Sequence, residues 1–161
     1  MILAPSAGGK STLMRYLREH TDLNVAETDE EIMRANNGQW PEDDYKNTVL
    51  IPRTTNEIIT RDNVIYLMKD IPKELLLKAR ANGFKIVGLK LTLEQLNERN
   101  AKRMKEEGYD SAERWFQGQL DYLNELEKDN LIDESIDGNM PTHEIADKVK
   151  NLAANYHRKL F

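Results

Sequence analysis

Cysteine is absent from the 161-residue sequence, which also holds only five prolines, eight glycines and 7% aromatic residues. The absence of cysteine excludes a disulfide framework, a catalytic thiol and a thiolate-bound metal. No apolar run approaches the roughly 18–20 residues that a membrane span needs. Positive charge is not in excess, because 23 Lys and Arg face 28 Asp and Glu. We therefore expect a soluble, cytoplasmic protein with no membrane partner and no broad basic face for long nucleic acids.

What the sequence does contain is an alternation of short apolar runs and amphipathic helical stretches. The clearest buried strand runs from Asn63 to Met68, and a second runs from Lys85 to Leu91. Three weaker strands are predicted at Met1–Leu3, Leu23–Ala26 and Leu131–Ile136. Strands that alternate with helices are typical of a parallel sheet covered by helices on both faces. The predicted fold is therefore α/β, with three α/β/α layers and a five-stranded parallel sheet.

A glycine-rich turn lies between the first strand and a helix predicted over Lys10–His20. Gly9, Lys10 and Ser11 match the end of a Walker A phosphate loop, whereas Ala4 replaces its first glycine. Such a turn directs backbone N–H groups at phosphate oxygens, and the helix N-terminus adds partial positive charge. We expect ATP and Mg²⁺ here, with Lys10 at the β- and γ-phosphates and the Ser11 hydroxyl in the metal shell. The alternative is an ordinary turn with a solvated lysine. The predicted nucleotide-binding residues are Ser6, Ala7, Gly8, Gly9, Lys10, Ser11 and Thr12.

The loop, the strand pattern and the chain length resemble the nucleoside monophosphate kinase and shikimate kinase group of P-loop proteins. Within Lys73–Arg103, the run Arg-Asn-Ala-Lys-Arg at residues 99–103 is most similar to the kinase domain of phage polynucleotide 5′-hydroxyl kinase. The resemblance implies one P-loop kinase domain over residues 1–161. It also implies an acceptor-binding helical region at about residues 29–61 and a helical lid at about 99–114.

Kinases of this kind place an aspartate just after the second strand, where it accepts the proton of the attacking hydroxyl. Asp29 matches that position, and a carboxylate near the γ-phosphate suits this role. The assignment of the base to Asp29 stays open, because three further carboxylates lie beside it, at Glu27, Glu30 and Glu31. The alternative role of Thr28 or Asp29 is to cap the next helix.

The resemblance places Arg99 and Arg103 in the lid over the ATP phosphates, where they would offset charge on the transferred group. The alternative is a solvated helix face in which both pair with glutamates. Relatives also carry an acid at the end of the third strand, and Asp70 is the available residue for Mg²⁺ there. Asp70 lies a residue or two late, and a turn before Pro72 is its alternative role.

Arginines in the predicted acceptor region are candidates for binding an acceptor phosphate in a bidentate way, Arg34 and Arg53 first among them. Trp40 in the same region would stack on a base or simply pack beside Pro41.

Together these residues predict an ATP-dependent phosphotransferase that acts on a hydroxyl of a nucleoside, a nucleotide or a nucleic-acid 5′ end. A base at Asp29 favours a hydroxyl acceptor, because a phosphate acceptor is already anionic. The alternatives are a nucleoside monophosphate kinase and a nucleotide-binding module without turnover. The sequence gives no prediction of oligomeric state.

Overall fold

The computed structural model describes residues 1–159 and has the predicted α/β architecture. Five parallel strands form one sheet in the order β2-β3-β1-β4-β5. None of the helices in residues 1–159 is long and apolar enough to cross a membrane. The elements are β1 (Ile2–Leu3), α1 (Lys10–His20), β2 (Asn24–Glu27), α2 (Thr28–Ala35), α3 (Asp43–Tyr45), a π-helical segment (Lys46–Leu50), α4 (Ile51–Ile58), β3 (Val64–Met68), α5 (Lys73–Ala81), β4 (Val87–Lys90), α6 (Leu93–Glu107), α7 (Glu113–Lys128), β5 (Glu134–Asp137) and α8 (Thr142–Lys159).

Helices cover both faces of the sheet, which confirms the three-layer prediction. Successive strand residues point to opposite faces, so Leu3 and its register partner Met68 lie on one face while Ile2 and Leu67 lie on the other. The Leu3 face packs against apolar residues of α4, α5 and α7. The Ile2 face packs against α1 and α8. All strands except the edge strand β5 are thus largely buried against the helical layers, and the carboxyl ends of the strands are the free place for a site.

Helix ends follow local sequence signals closely at α6. The spacing of Thr92 and Gln95 in the sequence predicts a capping box, and the two form one, with each side chain bonded to the other's backbone N–H. Gly108 predicts the end of the helix and ends it in the left-handed conformation at φ 69°, as glycine allows. The sequence also predicts a cap of α7 from Asp110 and Glu113, and this prediction is wrong, because the Ser111 hydroxyl accepts the Glu113 N–H instead.

Other differences from the sequence prediction concern strand ends and one proline. The second strand extends to Glu27, one residue beyond the prediction, and the last strand begins at Glu134 rather than Leu131. A proline within a helical stretch predicts a kink or a split at Pro52, and a π-helical segment precedes it in the structure. The N–H of Ile51 donates to Lys46, five residues back. Because Pro52 has no N–H to donate, this wider spacing accommodates it without a break.

Candidate active site

The glycine-rich turn connects β1 to α1 at the centre of the sheet. Ala4 is buried, its N–H donates to the Met68 carbonyl at 3.1 Å, and its φ is not positive. A side chain is therefore tolerated where the Walker pattern has its first glycine. The left-handed positions are instead Ala7 at φ 58° and Gly9 at φ 90°. Ala7 carries a Cβ in a conformation that L-residues avoid, so the turn stores a little backbone strain.

The turn is closed by its own hydrogen bonds. The Gly8 N–H donates to the Pro5 carbonyl at 2.9 Å, and a Cβ on Gly8 would lie 2.7 Å from that oxygen. The Lys10 ammonium lies across the turn and donates to the Ala4 carbonyl at 2.9 Å and the Pro5 carbonyl at 2.8 Å. Burial lowers the pKa of Lys10 to about 8, although the charge of Asp29 opposes the shift. A desolvated cation therefore stands at the mouth of the turn.

Some of the predicted loop residues have backbone N–H groups that are free to donate to a ligand, and others are bonded within the protein. The exposed Ser11 and Thr12 lie in the first turn of α1, where the first N–H groups of a helix have no partner within it. Ser6 differs, because its N–H donates to the Gln119 side chain at 2.8 Å and its hydroxyl accepts from the same amide at 3.1 Å. The N–H groups of Ser6 and Gly8 are therefore engaged within the protein.

Glu27 is the acid that the structure brings to Ser11, although it is not among the predicted metal ligands. It ends β2, is 4% exposed, and its Oε1 accepts the Ser11 hydroxyl at 3.5 Å. Burial raises the pKa of Glu27 to about 7, the charge of Asp29 adds to this, and Lys10 opposes it. A carboxylate and a hydroxyl side by side are oxygen ligands of the kind that Mg²⁺ prefers.

Asp29 lies two residues beyond Glu27 in the first turn of α2 and is exposed. Among the acids near Lys10, Asp29 has the largest effect on its pKa, after the opposing effect of burial. Thr28, between the two acids, donates its hydroxyl to the Leu67 carbonyl at 3.2 Å and ties this corner to β3. The structure thus gathers Lys10, which follows β1, with Glu27 and Asp29 at the end of β2, across the carboxyl end of the intervening β3.

The predicted lid arginines also approach the turn. Arg99 is half-buried, and one guanidinium nitrogen lies 3.6 Å from the place that a Cβ on Gly9 would take. Its other terminal nitrogen donates to the Gly138 carbonyl at 2.8 Å, in the loop before α8. Arg103 lies 4.3 Å above the ring of Tyr109, and its charge adds to burial in lowering the pKa of Lys10. Arg99 is thus beside the phosphate loop and Arg103 is stacked on Tyr109, and the role of the pair over the ATP phosphates stays a prediction.

Arg34 and Arg53 are not brought to this centre. Arg34 pairs with Glu31 within α2, and the guanidinium of Arg61 approaches the same carboxylate at 3.8 Å. Arg53 donates to the Ala35 carbonyl at 3.4 Å. The Arg53 contact joins α4 to α2, whereas the Arg34 pair lies within α2, and the predicted role of both arginines in acceptor binding stays a prediction.

An open cavity of about 500 Å³ lies beside the phosphate loop, and Gln119 lines it. Lys69, Asp70, Arg114 and Trp115 contribute to its wall. Asp70 is exposed, and the Lys69 ammonium is 4.0 Å from it. The predicted magnesium acid thus faces this cavity, whereas Glu27 contacts Ser11.

Two cations and one indole line this cavity beside Asp70, and none of the three is among the predicted site residues. The Arg114 guanidinium lies 4.1 Å from the centre of the Trp115 ring, and that indole is 46% exposed. Lys69 is near enough to add to burial in lowering the pKa of Lys10. Lys46 holds the pKa of Asp43 below its ordinary value, and Arg114 and Lys69 add to this effect, so α3 faces the same cations. The cavity is suited to an anionic molecule with a flat ring.

Trp40, the aromatic residue that the sequence did single out, is 52% exposed, with the Lys46 ammonium 5.2 Å from its ring centre. Its indole is free to contact a ligand, and base stacking there stays a prediction.

The chain has the fold of P-loop kinases of the shikimate kinase and gluconokinase type. Shikimate kinase from Acinetobacter baumannii, solved in complex with shikimate, has a TM-score of 0.71 at 18% identity, covering 96% of this chain and 91% of that one. Shikimate kinase from Aquifex aeolicus gives 0.70 at 16% identity, with 96% and 95% covered. A gluconokinase from Sinorhizobium meliloti gives 0.65 at 19% identity, with 98% and 94% covered. No protein-family profile and no curated protein sequence matches the chain. The finer resemblance to phage polynucleotide kinase stays a prediction.

Proposed function

We propose that the chain is an ATP-dependent phosphotransferase that moves the γ-phosphate to a hydroxyl group. The observation that carries this proposal is the convergence of Lys10, Ser11, Glu27 and Asp29 at the carboxyl ends of β1 and β2. A phosphate loop, a metal-side acid and a second acid near the transferred group are the parts that such a reaction needs. The kinase fold of the solved neighbours supports the same reaction class.

Ser11 and Glu27 are the residues that would hold Mg²⁺. Within residues 1–159 no group of three His, Cys, Asp or Glu side chains is arranged to hold a metal. Two protein oxygens nevertheless fit Mg²⁺, which usually keeps several waters and binds substrate phosphates. When bound there, Mg²⁺ would neutralise charge on the β- and γ-phosphates. Glu27 must be ionised to serve, so its raised pKa makes metal binding improve as the pH rises through about 7.

Lys10, Arg99 and Arg103 supply the positive charge around the phosphates. Lys10 donates to two carbonyls of the turn, and rotation of its side chain would move the ammonium onto phosphate oxygens. Arg99 is partly desolvated beside Gly9, so its charge is less screened than that of a surface arginine. Fixed cations that require little reorganisation stabilise the charge that develops on the transferred group.

Asp29 is the base in this proposal, and the cavity at Lys69, Arg114 and Trp115 holds the acceptor. The cations would bind an anionic group, and the indole would stack on a flat ring. This combination favours a nucleotide or the 5′ end of a nucleic acid, because a sugar acid offers no aromatic ring. The hydroxyl to be phosphorylated would face Asp29, which accepts its proton as the new P–O bond forms.

A second candidate function is a nucleoside monophosphate kinase. Lys69 and Arg114 favour it, since the same two cations can bind an acceptor phosphate near the donor site. Such an acceptor is already anionic and needs no base, so Asp29 would then bind or cap rather than abstract a proton.

The test is an acceptor panel with γ-labelled ATP and Mg²⁺. It contains a 5′-hydroxyl oligonucleotide, nucleosides, nucleoside monophosphates, shikimate and gluconate. Acid treatment separates the products, because a phosphate ester survives conditions that hydrolyse a phosphoanhydride. An acid-stable label on a hydroxyl acceptor supports the proposal, and an acid-labile label on monophosphates supports the second candidate.

Variants assign the residues. Asp29→Asn is expected to lower kcat on the order of 10²–10⁴-fold with a hydroxyl acceptor, while the adjacent Glu30→Gln serves as the matched control. Lys10→Ala should abolish label transfer in every arm. Absence of transfer by the wild-type protein, despite tight ATP binding, would refute the phosphotransferase and leave a binding module.

A further inference from the structure

Gln119 is one of five buried polar or charged residues in the described chain, and it contacts the phosphate loop from a distant helix. It lies in α7, is 7% exposed, and is 113 positions from Ser6 in sequence. Its Oε1 accepts the Ser6 N–H at 2.8 Å, and its Nε2 donates to the Ser6 hydroxyl at 3.1 Å. A primary amide can accept one hydrogen bond and donate another side by side, so the Gln119 amide forms a two-bond fork with the backbone N–H and the hydroxyl of Ser6.

The two hydrogen bonds from Gln119 restrain the turn at Ser6, directly before the first of its two left-handed residues. Ala7, with φ 58°, follows Ser6 directly, so a fixed Ser6 amide fixes the entry to the strained part of the turn. The other side-chain restraint is Lys10, whose ammonium bonds the Ala4 and Pro5 carbonyls. If Lys10 rotates to contact phosphate, those two bonds are lost. The amide of Gln119 then remains to hold the turn open toward the nucleotide.

Resting on the proposed function, we infer that Gln119 is a positioning residue for nucleotide phosphate binding. It acts through Ser6, keeping the loop in the shape that directs the N–H groups of α1 at the phosphates. Because it also lines the cavity with Arg114 and Trp115, Gln119 joins the acceptor wall to the donor loop. Because Gln119 acts on phosphate binding alone, the affinity for a ligand without phosphate should not depend on Gln119.

The test compares calorimetric binding of ADP and of adenosine, both with Mg²⁺, by the wild type and Gln119→Leu. Leucine keeps similar volume but leaves the Ser6 N–H without its partner. We expect the Kd for ADP to rise on the order of tenfold or more, and the Kd for adenosine to stay unchanged. Gln117→Leu is the matched control, because Gln117 is an exposed residue of α7 that bonds only Asp121 among the side chains described. Thermal unfolding verifies that each variant is folded.

Ser6→Ala supplies a second route, since it removes the hydroxyl but keeps the N–H. It should weaken ADP binding by less than Gln119→Leu, and the double variant should lose no more than Gln119→Leu alone. If Gln119→Leu does not fold, Gln119→Asn takes its place, because its shorter amide does not span to Ser6. Unchanged ADP affinity in a folded variant, or an equal loss for adenosine, would overturn the inference. Failure of the wild type to bind ADP would instead overturn the proposed function, and the inference with it.

Discussion

Replacing Glu27 with Gln is expected to stabilise the protein at pH 8 while removing its Mg²⁺-dependent activity. Glu27 is 4% exposed as a residue, and burial raises the pKa of its carboxyl from an ordinary 4.5 to about 7. Between those pH values the folded protein holds a proton that the unfolded chain has lost. Stability therefore falls as the pH rises through this interval. At about 1.4 kcal/mol per pH unit, the ionised carboxylate costs up to about 3 kcal/mol at pH 8.

Glutamine has nearly the same shape and cannot ionise, so it removes this cost. For a chain of this length the gain corresponds to roughly 6–12 °C in Tm. Denaturant unfolding at pH 8 and pH 5, without Mg²⁺ or nucleotide, measures the effect directly. The gain should be largest at pH 8 and should shrink toward zero near pH 4.5, where both side chains are neutral.

Glu30→Gln is the control for this experiment. Glu30 is an exposed acid paired with Arg18 at 2.7 Å, and a surface pair of this kind contributes about 0–1 kcal/mol. The change in the free energy of unfolding of Glu30→Gln should be small and nearly independent of pH over the same interval. A Glu27→Gln protein that is less stable than the wild type at pH 8, or equally stabilised at pH 5, would refute the reasoning.

Three further predictions concern the loop and the lid. Lys10, with a pKa of about 8, should react with an amine acylating reagent at pH 8 faster than the surface lysines, and mass spectrometry should show protection by Mg²⁺ with ATP. Ala7→Gly should raise stability by no more than about 1 kcal/mol in chemical denaturation, because glycine relieves the positive φ but adds unfolded-chain entropy. Asn100→Leu should lower the free energy of unfolding by about 1–3 kcal/mol and speed proteolysis between α6 and α7. The buried Asn100 amide accepts the Ala112 N–H at 3.0 Å and donates to Ser111 at 3.0 Å, and leucine can do neither. Unchanged cleavage would contradict this.

Local signals in the sequence predicted the fold well. The helix Lys10–His20, the Thr92–Gln95 capping box and the stop at Gly108 depend on neighbouring residues alone, and all three are confirmed. The predicted cap of α7 is wrong because a side chain of the preceding helix and the residue next to Asp110 take the N–H groups at its start. The Asn100 side chain takes the Ala112 N–H, and Ser111 takes the next one.

The site residues could be predicted where they lie in one continuous segment, and could not be predicted where they come from several segments. The phosphate loop is contiguous, so its type could be inferred from spacing. Glu27 was passed over because the predicted strand ended one residue early, which left its carboxylate outside the buried strand. Lys69, Arg114 and Gln119 meet only after β3 and α7 pack side by side, and no periodicity marks them. An exposed charge just after a strand was the one signal available, at Lys69.

The π-helical segment Lys46–Leu50 gives the acceptor side an unusual tolerance of a change in chain length. A π turn holds one residue more than an α turn over the same path, so deleting one residue there would restore regular geometry. Residues on either side of the segment would keep their orientation, because the wider turn absorbs the extra residue. Asp43 would therefore still face the cations at Arg114 and Lys69. A deletion within the regular helix α4 would instead rotate everything before it by about 100° around the axis and turn Asp43 away from them.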